Sequence, residues 1–281
     1  DLRVLMTLIE GYVIIGQKSF VTSNAECIDS VLKRVVGKVR PRDVPYIIRP
    51  LEAMLLVCVY EGAQFLVYSG MLQIFVRTCC AAMQKTSPEL FSLFQEDAED
   101  DLTMMCYLSA IAQAFLFAPS LIQEAVGSIL VEKGVTNPSI FWRGIVRLLL
   151  DKLDNIGILS AEEWRAKLWC IALLGFLPTN DEMLLQWVPE IIIAIDGVRL
   201  KAAAEGSLSP TGALSMATRE ARSLSGEYFG FDDGSSSTAK EEPLATRYRR
   251  LIEESAVTKT DLLELVSEKM NGMCESLGLD F

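Results

Sequence analysis

Two apolar stripes in succession, each too wide for the other to cover, constrain this chain more than anything else in its sequence. Val44–Glu61 carries Val44, Ile47, Ile48, Leu51, Met54, Leu55, Cys58 and Val59 at steps of three and four, the spacing of one helical face. Gly62 is expected to break that helix. Gln64–Lys85 then carries Phe65, Leu66, Met71, Leu72, Phe75, Val76, Cys79 and Met83 in the same rhythm. A helix pair that is apolar on more than one side needs further helices against it, as stacked helical repeats provide.

The remaining chain supplies such helices. The apolar spacing predicts Leu2–Ile15, a helix ending near Val39, a short one from Pro88, then Leu102–Phe117, Ser120–Glu132, Ser139–Leu153, Ala161–Phe176 and Glu182–Ala204. A kink is expected at Pro189. First members of successive pairs begin about 40 to 60 residues apart, in the range of HEAT-type repeats plus insertions. The expected fold is an all-α, HEAT-type helical-repeat solenoid of stacked antiparallel helix pairs over residues 1–205. Residues 206–246 are rich in Gly, Ser, Ala and Thr and are expected to form a flexible loop, with Tyr228-Phe229-Gly230-Phe231 as an aromatic island. Residues 247–281 are expected to supply helices that cap the stack.

Charge and cysteine usage narrow the function. The 281 residues carry a net charge of −11 and have no basic stripe, which argues against nucleic acid and suits basic partners. No histidine occurs, so His-dependent triads and the common zinc sites are excluded. Seven cysteines, mostly inside apolar runs and without a Cys-x-x-Cys pair, are expected to be buried free thiols. The side-by-side Cys79-Cys80 is a weak redox signal. Phosphate loops, a Gly-x-Ser-x-Gly elbow and a His-Glu-x-x-His pair are all missing, so neither an enzyme nor a cofactor site is expected. The uncharged run Leu102–Gln123 is long enough for a membrane span. Ser109 and Gln113 inside it and Pro119 near its end favour a walled-in solenoid helix instead.

Two sets of residues are candidate partner contacts. Glu96, Asp97, Glu99, Asp100 and Asp101 place five carboxylates in six residues, suited to a Lys/Arg-rich segment. The plainer account is a solvated loop whose Asp101 caps the next helix. Trp164 and Trp187, in successive helices, could stack on a partner's arginine or line the core. Ser160 and Glu163 have capping-box spacing.

The end of the chain carries a resemblance. Ser255-Ala256-Val257-Thr258-Lys259-Thr260 followed by Asp261–Met270, "DLLELVSEKM", is similar to the closing stretch of karyopherin-β nuclear transport receptors of the importin-eleven branch. That branch has Asp-Pro where this chain has Ser255-Ala256. The resemblance implies a C-terminal, cargo-binding part of an import receptor that does no chemistry. Its partners would be basic protein cargo, Ran GTPase (mainly through N-terminal repeats) and Phe-Gly nucleoporins held in grooves between helices. Shuttling between cytoplasm and nucleus, with transient presence at the pore, follows from the same resemblance, as does the lack of a membrane partner. A non-transport HEAT-repeat scaffold within a large assembly is the rival reading.

Overall fold

The computed structural model describes residues 2–94, 100–153, 155–156, 162–204 and 244–278. Thirteen helices account for nearly all of them, and no strand occurs among the described residues. They are α1 (Leu2–Val35), α2 (Val44–Val57), α3 (Val59–Tyr68), α4 (Met71–Ala82), α5 (Pro88–Leu93), α6 (Asp101–Phe117) and α7 (Pro119–Glu132). After them come α8 (Ser139–Leu153), α9 (Glu162–Gly175), α10 (Glu182–Ala204), α11 (Leu244–Glu254), α12 (Ala256–Lys259) and α13 (Leu262–Leu277). The expected all-α helical-repeat solenoid is what forms.

The helices make two layers. In the first, α2 lies between α1 and α6, and α6 lies between α2 and α9. In the second, α3 and α4 lean on α7, and α4 and α10 each meet α8. The layers join where α2 meets α3, α6 meets α7, and α9 meets α8 and α10. The sequence explains the centre of this arrangement. In α6, thirteen of seventeen residues are buried, Thr103 through Phe115, because neighbours stand on every side. Two of its buried polar residues are matched to those neighbours: Ser109 Oγ accepts from Trp169 Nε1 at 3.1 Å, and Gln113 Nε2 donates to the Glu52 carbonyl at 3.2 Å. This apolar helix ends at Phe117, before the Pro119 turn.

Of the described helices, only α1 is by itself long and apolar enough to cross a membrane. It is bent at Gln17, whose φ of 45° and ψ of −140° interrupt it directly after Gly16. The two expected helices on either side of Gly16 are therefore present, joined at a kink. The α3–α4 pair passes the same test only when counted as one span, and it is bent by 73°.

Three breaks fall elsewhere than expected. The first long stripe ends at Cys58 (φ −134°, ψ 42°), not at Gly62. Gly62 sits inside α3, where a Cβ would come within 2.8 Å of the Met54 carbonyl group. Glycine is there to let α3 approach the α2 backbone, and a helix accommodates it. The second stripe is itself broken at Ser69-Gly70, where Gly70 takes a φ of 77° that only glycine adopts freely. The cap of α6 is Asp100, whose carboxylate accepts from Leu102 N at 3.0 Å and Thr103 N at 3.2 Å, in place of Asp101. Pro189 lies within α10, which continues through it as one helix from Glu182 to Ala204.

Of the C-terminal helices, α11 packs on α1 and α2, while α12 and α13 pack on α9, the last helix of the first layer. The segment thus runs along the outside of the first layer, from its first members to its last. The apolar positions are why: Ile252, Val257, Leu262 and Met273 are spread over all three helices and are all buried. The expected loop, residues 206–246, lies outside the described residues up to 243.

Candidate partner-binding surface

Of the sequence-derived candidates, Glu96, Asp97 and Glu99 lie outside the described residues, as do Ser160 and the aromatic island at 228–231. The other acids of the run have structural employment. Asp100 caps α6, and Asp101 accepts from Lys152 Nζ of α8 at 2.6 Å. Trp164 is enclosed in the core at 3% exposure, its Nε1 donating to Ser255 Oγ at 3.4 Å. A partner cannot reach it while α12 is in place. Trp187 on α10 is half-buried, and the guanidinium of Arg147 lies 6.0 Å from its ring centroid. Arg147 is in turn held by Glu190, at 2.7 and 2.8 Å, and by Asp151. The cation that Trp187 was expected to stack on comes from its own chain. α8 touches both Asp101 and Trp187, through Lys152 and Arg147 respectively.

A second group of charges escaped the sequence reading. Glu10 of α1 meets Arg49 of α2 at 2.8 Å. One helical turn along α2, Glu52 takes a two-pronged pair from Arg165 of α9, with Nη2 to Oε2 at 2.8 Å and Nη1 to Oε1 closing the fork. All four are buried. Lys167, two residues beyond Arg165, donates from Nζ to the Thr258 carbonyl of α12 at 2.9 Å. A row of charges of alternating sign therefore crosses the first layer, and Tyr248 of α11 lies among them, interacting with Glu10, Arg49, Glu52 and Arg165. The sequence carried little signal of it: Arg49 and Glu52 lie beside the α2 stripe of Val44, Ile47, Ile48, Leu51, Met54 and Leu55, on a flank that a lone helix would turn to solvent.

Enclosure sets the electrostatics. Burial pushes the Glu10 carboxyl up to about 7, against the pull of Arg49. Burial likewise lowers the Lys167 ammonium to about 8, with Asp261 opposing. The Tyr248 hydroxyl is driven well above its ordinary range by burial and by Glu10 and Glu52, so it stays protonated. The cysteines follow the same rule. Cys80, Cys106 and Cys170 are pushed to about 12 by burial, and Cys79 is also raised by it. All seven thiols are free, five of them buried, with Cys27 exposed and Cys274 half-buried. The Cys79-Cys80 pair is thereby an unreactive core pair.

Two open grooves lie beside helices of the second layer. One, of about 370 Å³, runs between the second half of α1 and α3, with Val21, Ala25 and Phe65 as its floor and Glu26, Asp29 and Glu61 at its rim. The other, of about 400 Å³, lies between α4 and α7 and is lined by Leu72, Leu121, Ala125 and Ile129. Tyr68, 77% exposed, stands between them and lines both. On α1, Val4, Leu5, Leu8, Tyr12 and Ile15 form an exposed apolar stripe on the side away from α2.

The sequence of the whole chain matches a family described as "Importin-11-like, TPR repeats" over residues 1–280. The chain belongs to the importin-11-like family. No curated protein and no solved structure matches it. The family description names TPR repeats where the spacing suggested the HEAT type; both are stacked antiparallel helix pairs, the unit seen here. Importin-11-like membership identifies the chain as a helical-repeat region of nuclear import receptor type. In the stretch Ser255–Thr260, Ser255 is the N-cap of α12, its Oγ accepting from Thr258 N at 3.3 Å, Ala256 is the first helical residue and Val257 is buried.

Proposed function

We propose that this chain is the C-terminal, cargo-binding part of a nuclear import receptor, acting by shape and charge and catalysing nothing. The observation that carries the proposal is the importin-11-like match across residues 1–280, joined to a two-layer helical stack. On this reading the net charge of −11 favours basic protein cargo. Of the two grooves beside Tyr68, the one floored by Val21, Ala25 and Phe65 is a place where Phe-Gly nucleoporins can insert a ring between helices, as the resemblance implies. Ran GTPase acts mainly through N-terminal repeats, releasing cargo in the nucleus, and the receptor shuttles through the pore.

The test is affinity capture of partners from nuclear and cytosolic extracts with a receptor carrying this chain, followed by Ran locked in its GTP state. Release of a defined basic partner is the expected result. Retention of a fixed set of partners would refute transport. The acidic run is tested separately with Glu96→Lys, Asp97→Lys and Glu99→Lys together, leaving the cap Asp100 and the Lys152 partner Asp101 intact. Binding of the released cargo should weaken, and weaken further with salt. Unchanged affinity under both would remove the run from the site.

The exposed stripe of α1 favours a second reading, a scaffold that holds its neighbours permanently. Five large apolar side chains open to water on one helix face suit a stable contact. That reading predicts association indifferent to Ran.

A further inference from the structure

The groove between α4 and α7 is built by a turn in the chain. At Ser69-Gly70 the axes of α3 and α4 part by 73°, and Gly70, at a φ of 77°, makes the corner. Helix α7 packs on both arms. A straight helix cannot fill the inside of such a corner. A groove of about 400 Å³ therefore stays open, with Val67, Tyr68 and Gly70 at the bend and α7 as its far wall.

Two ridges of α7 line that wall, each stepping by four residues. Leu121, Ala125 and Ile129 form an apolar ridge, and Leu72 of α4 adds to the same floor. Beside it run Glu124, Ser128 and Glu132, all three exposed. Among the described residues that line the groove, these two glutamates are the only charged ones. No described side chain pairs with either carboxylate. In the neighbouring groove, by contrast, Glu61 is held by Lys18 and Asp29 by Lys33. The α4–α7 groove thus offers an apolar floor and two carboxylates whose cations must come from elsewhere.

The spacing specifies the shape of what fits. Eight helical residues put Glu124 and Glu132 about 12 Å apart along the axis of α7. In an extended segment the side chains at i, i+2 and i+4 share one face, and i to i+4 spans about 13 Å. Cations at i and i+4 can therefore meet both glutamates while the side chain at i+2 enters the apolar ridge between them.

We propose that the α4–α7 groove binds an extended basic segment of a partner protein, of the form Lys/Arg-x-aliphatic-x-Lys/Arg, with its two cations on Glu124 and Glu132 and its aliphatic side chain on Leu121, Ala125 and Ile129. This rests on the import reading for the source of the segment, a basic cargo, and adds to that reading a place and a sequence pattern.

The probe is a fluorescein-labelled peptide, Gly-Ser-Lys-Ser-Leu-Ser-Lys-Ser-Gly, titrated against the full chain at low salt and read by anisotropy. Saturable binding is expected, weakened about tenfold or more by Glu124→Lys combined with Glu132→Lys. Both positions are exposed, so the variant should keep the melting temperature of the natural chain. A control peptide of the same composition, Gly-Ser-Lys-Lys-Ser-Leu-Ser-Ser-Gly, tests the register without any variant. It should bind at least about threefold more weakly, because adjacent lysines cannot reach both glutamates. Equal binding of the two peptides would show only the pull of a net charge of −11 and would overturn the proposal. So would absence of binding, or equal binding to the natural chain and the variant. Self-association that the variant loses would give the groove to a second copy and overturn the partner assignment. A capture experiment separates the groove from import itself. In a receptor carrying this chain, the variant should lose the basic partner that Ran in its GTP state releases. Retention of that partner, still released by Ran, overturns the groove and leaves import standing. Partners indifferent to Ran overturn import, and the peptide titration still decides the groove.

Discussion

Arg165→Met should be among the most damaging single substitutions in this chain, and the structure gives its size. Arg165 reaches from α9 to α2 and holds both oxygens of Glu52, with side chains 9% and 4% exposed. Methionine fills much the same volume, so packing changes little and the loss is electrostatic. Glu52 would keep its charge in a site with little water. Removing one partner of a buried pair costs about 3–5 kcal/mol. Arg49, one turn before Glu52 on α2, offsets part of this, which puts the expected value near the low end, about 3 kcal/mol, or roughly a hundredfold in the folding equilibrium. The double variant Glu52→Leu with Arg165→Met removes both charges and should come within about 1 kcal/mol of the natural protein. Guanidinium unfolding at pH 7, followed by far-UV dichroism, measures all four corners of this cycle. A cost below 1 kcal/mol for Arg165→Met would show that water reaches the pair. Additive costs in the double variant would show that the two residues do not act on each other, and the charge row would lose its basis.

Three further outcomes follow from packing and burial. Gly62→Ala would place a methyl group 2.8 Å from the Met54 carbonyl group, backbone against side chain, and should cost about 2 kcal/mol or more in a denaturant titration; an unchanged midpoint would mean α3 does not approach α2 so closely. Glu10, with a carboxyl near 7 when folded and an ordinary value of 4.5, takes up a proton on folding between those limits. Its contribution is full below 4.5 and lost as pH rises through 7, so the stability of the natural chain relative to Glu10→Gln should fall from pH 5 to pH 8 by up to about 3 kcal/mol; a flat difference would refute the shift. Iodoacetamide should label Cys27 rapidly in the folded protein and Cys79, Cys80, Cys106 and Cys170 only on unfolding, which peptide mass mapping reads directly.

Helix type and order were legible in this sequence because period-3.6 stripes are local, and a residue three positions away shares a face whatever the tertiary fold does. Helix ends were less so. Gly62 has the composition of a break, and the structure spends it on interhelical approach; Ser69-Gly70 was a break concealed inside a continuing apolar run. Both depend on which backbone lies opposite, information that no window on one helix contains. The placement of the C-terminal helices was out of reach for the same reason, since α11 touches residues more than 200 positions earlier and its own stripe says only that something apolar must face it. The site divides along the same line. Exposed acids were easy to see as candidates because charge is visible in a sequence, yet of the two that the structure describes, one caps a helix and one pairs across to α8. Arg49 and Glu52 lie off the α2 stripe, on a flank that a lone helix would turn to solvent, and only the packing of other helices against it shows that both are buried. A charge on a solvated face costs nothing and says little. A charge on a buried face requires a partner, and Glu10 with Arg49 and Glu52 with Arg165 find theirs on other helices, far away in sequence.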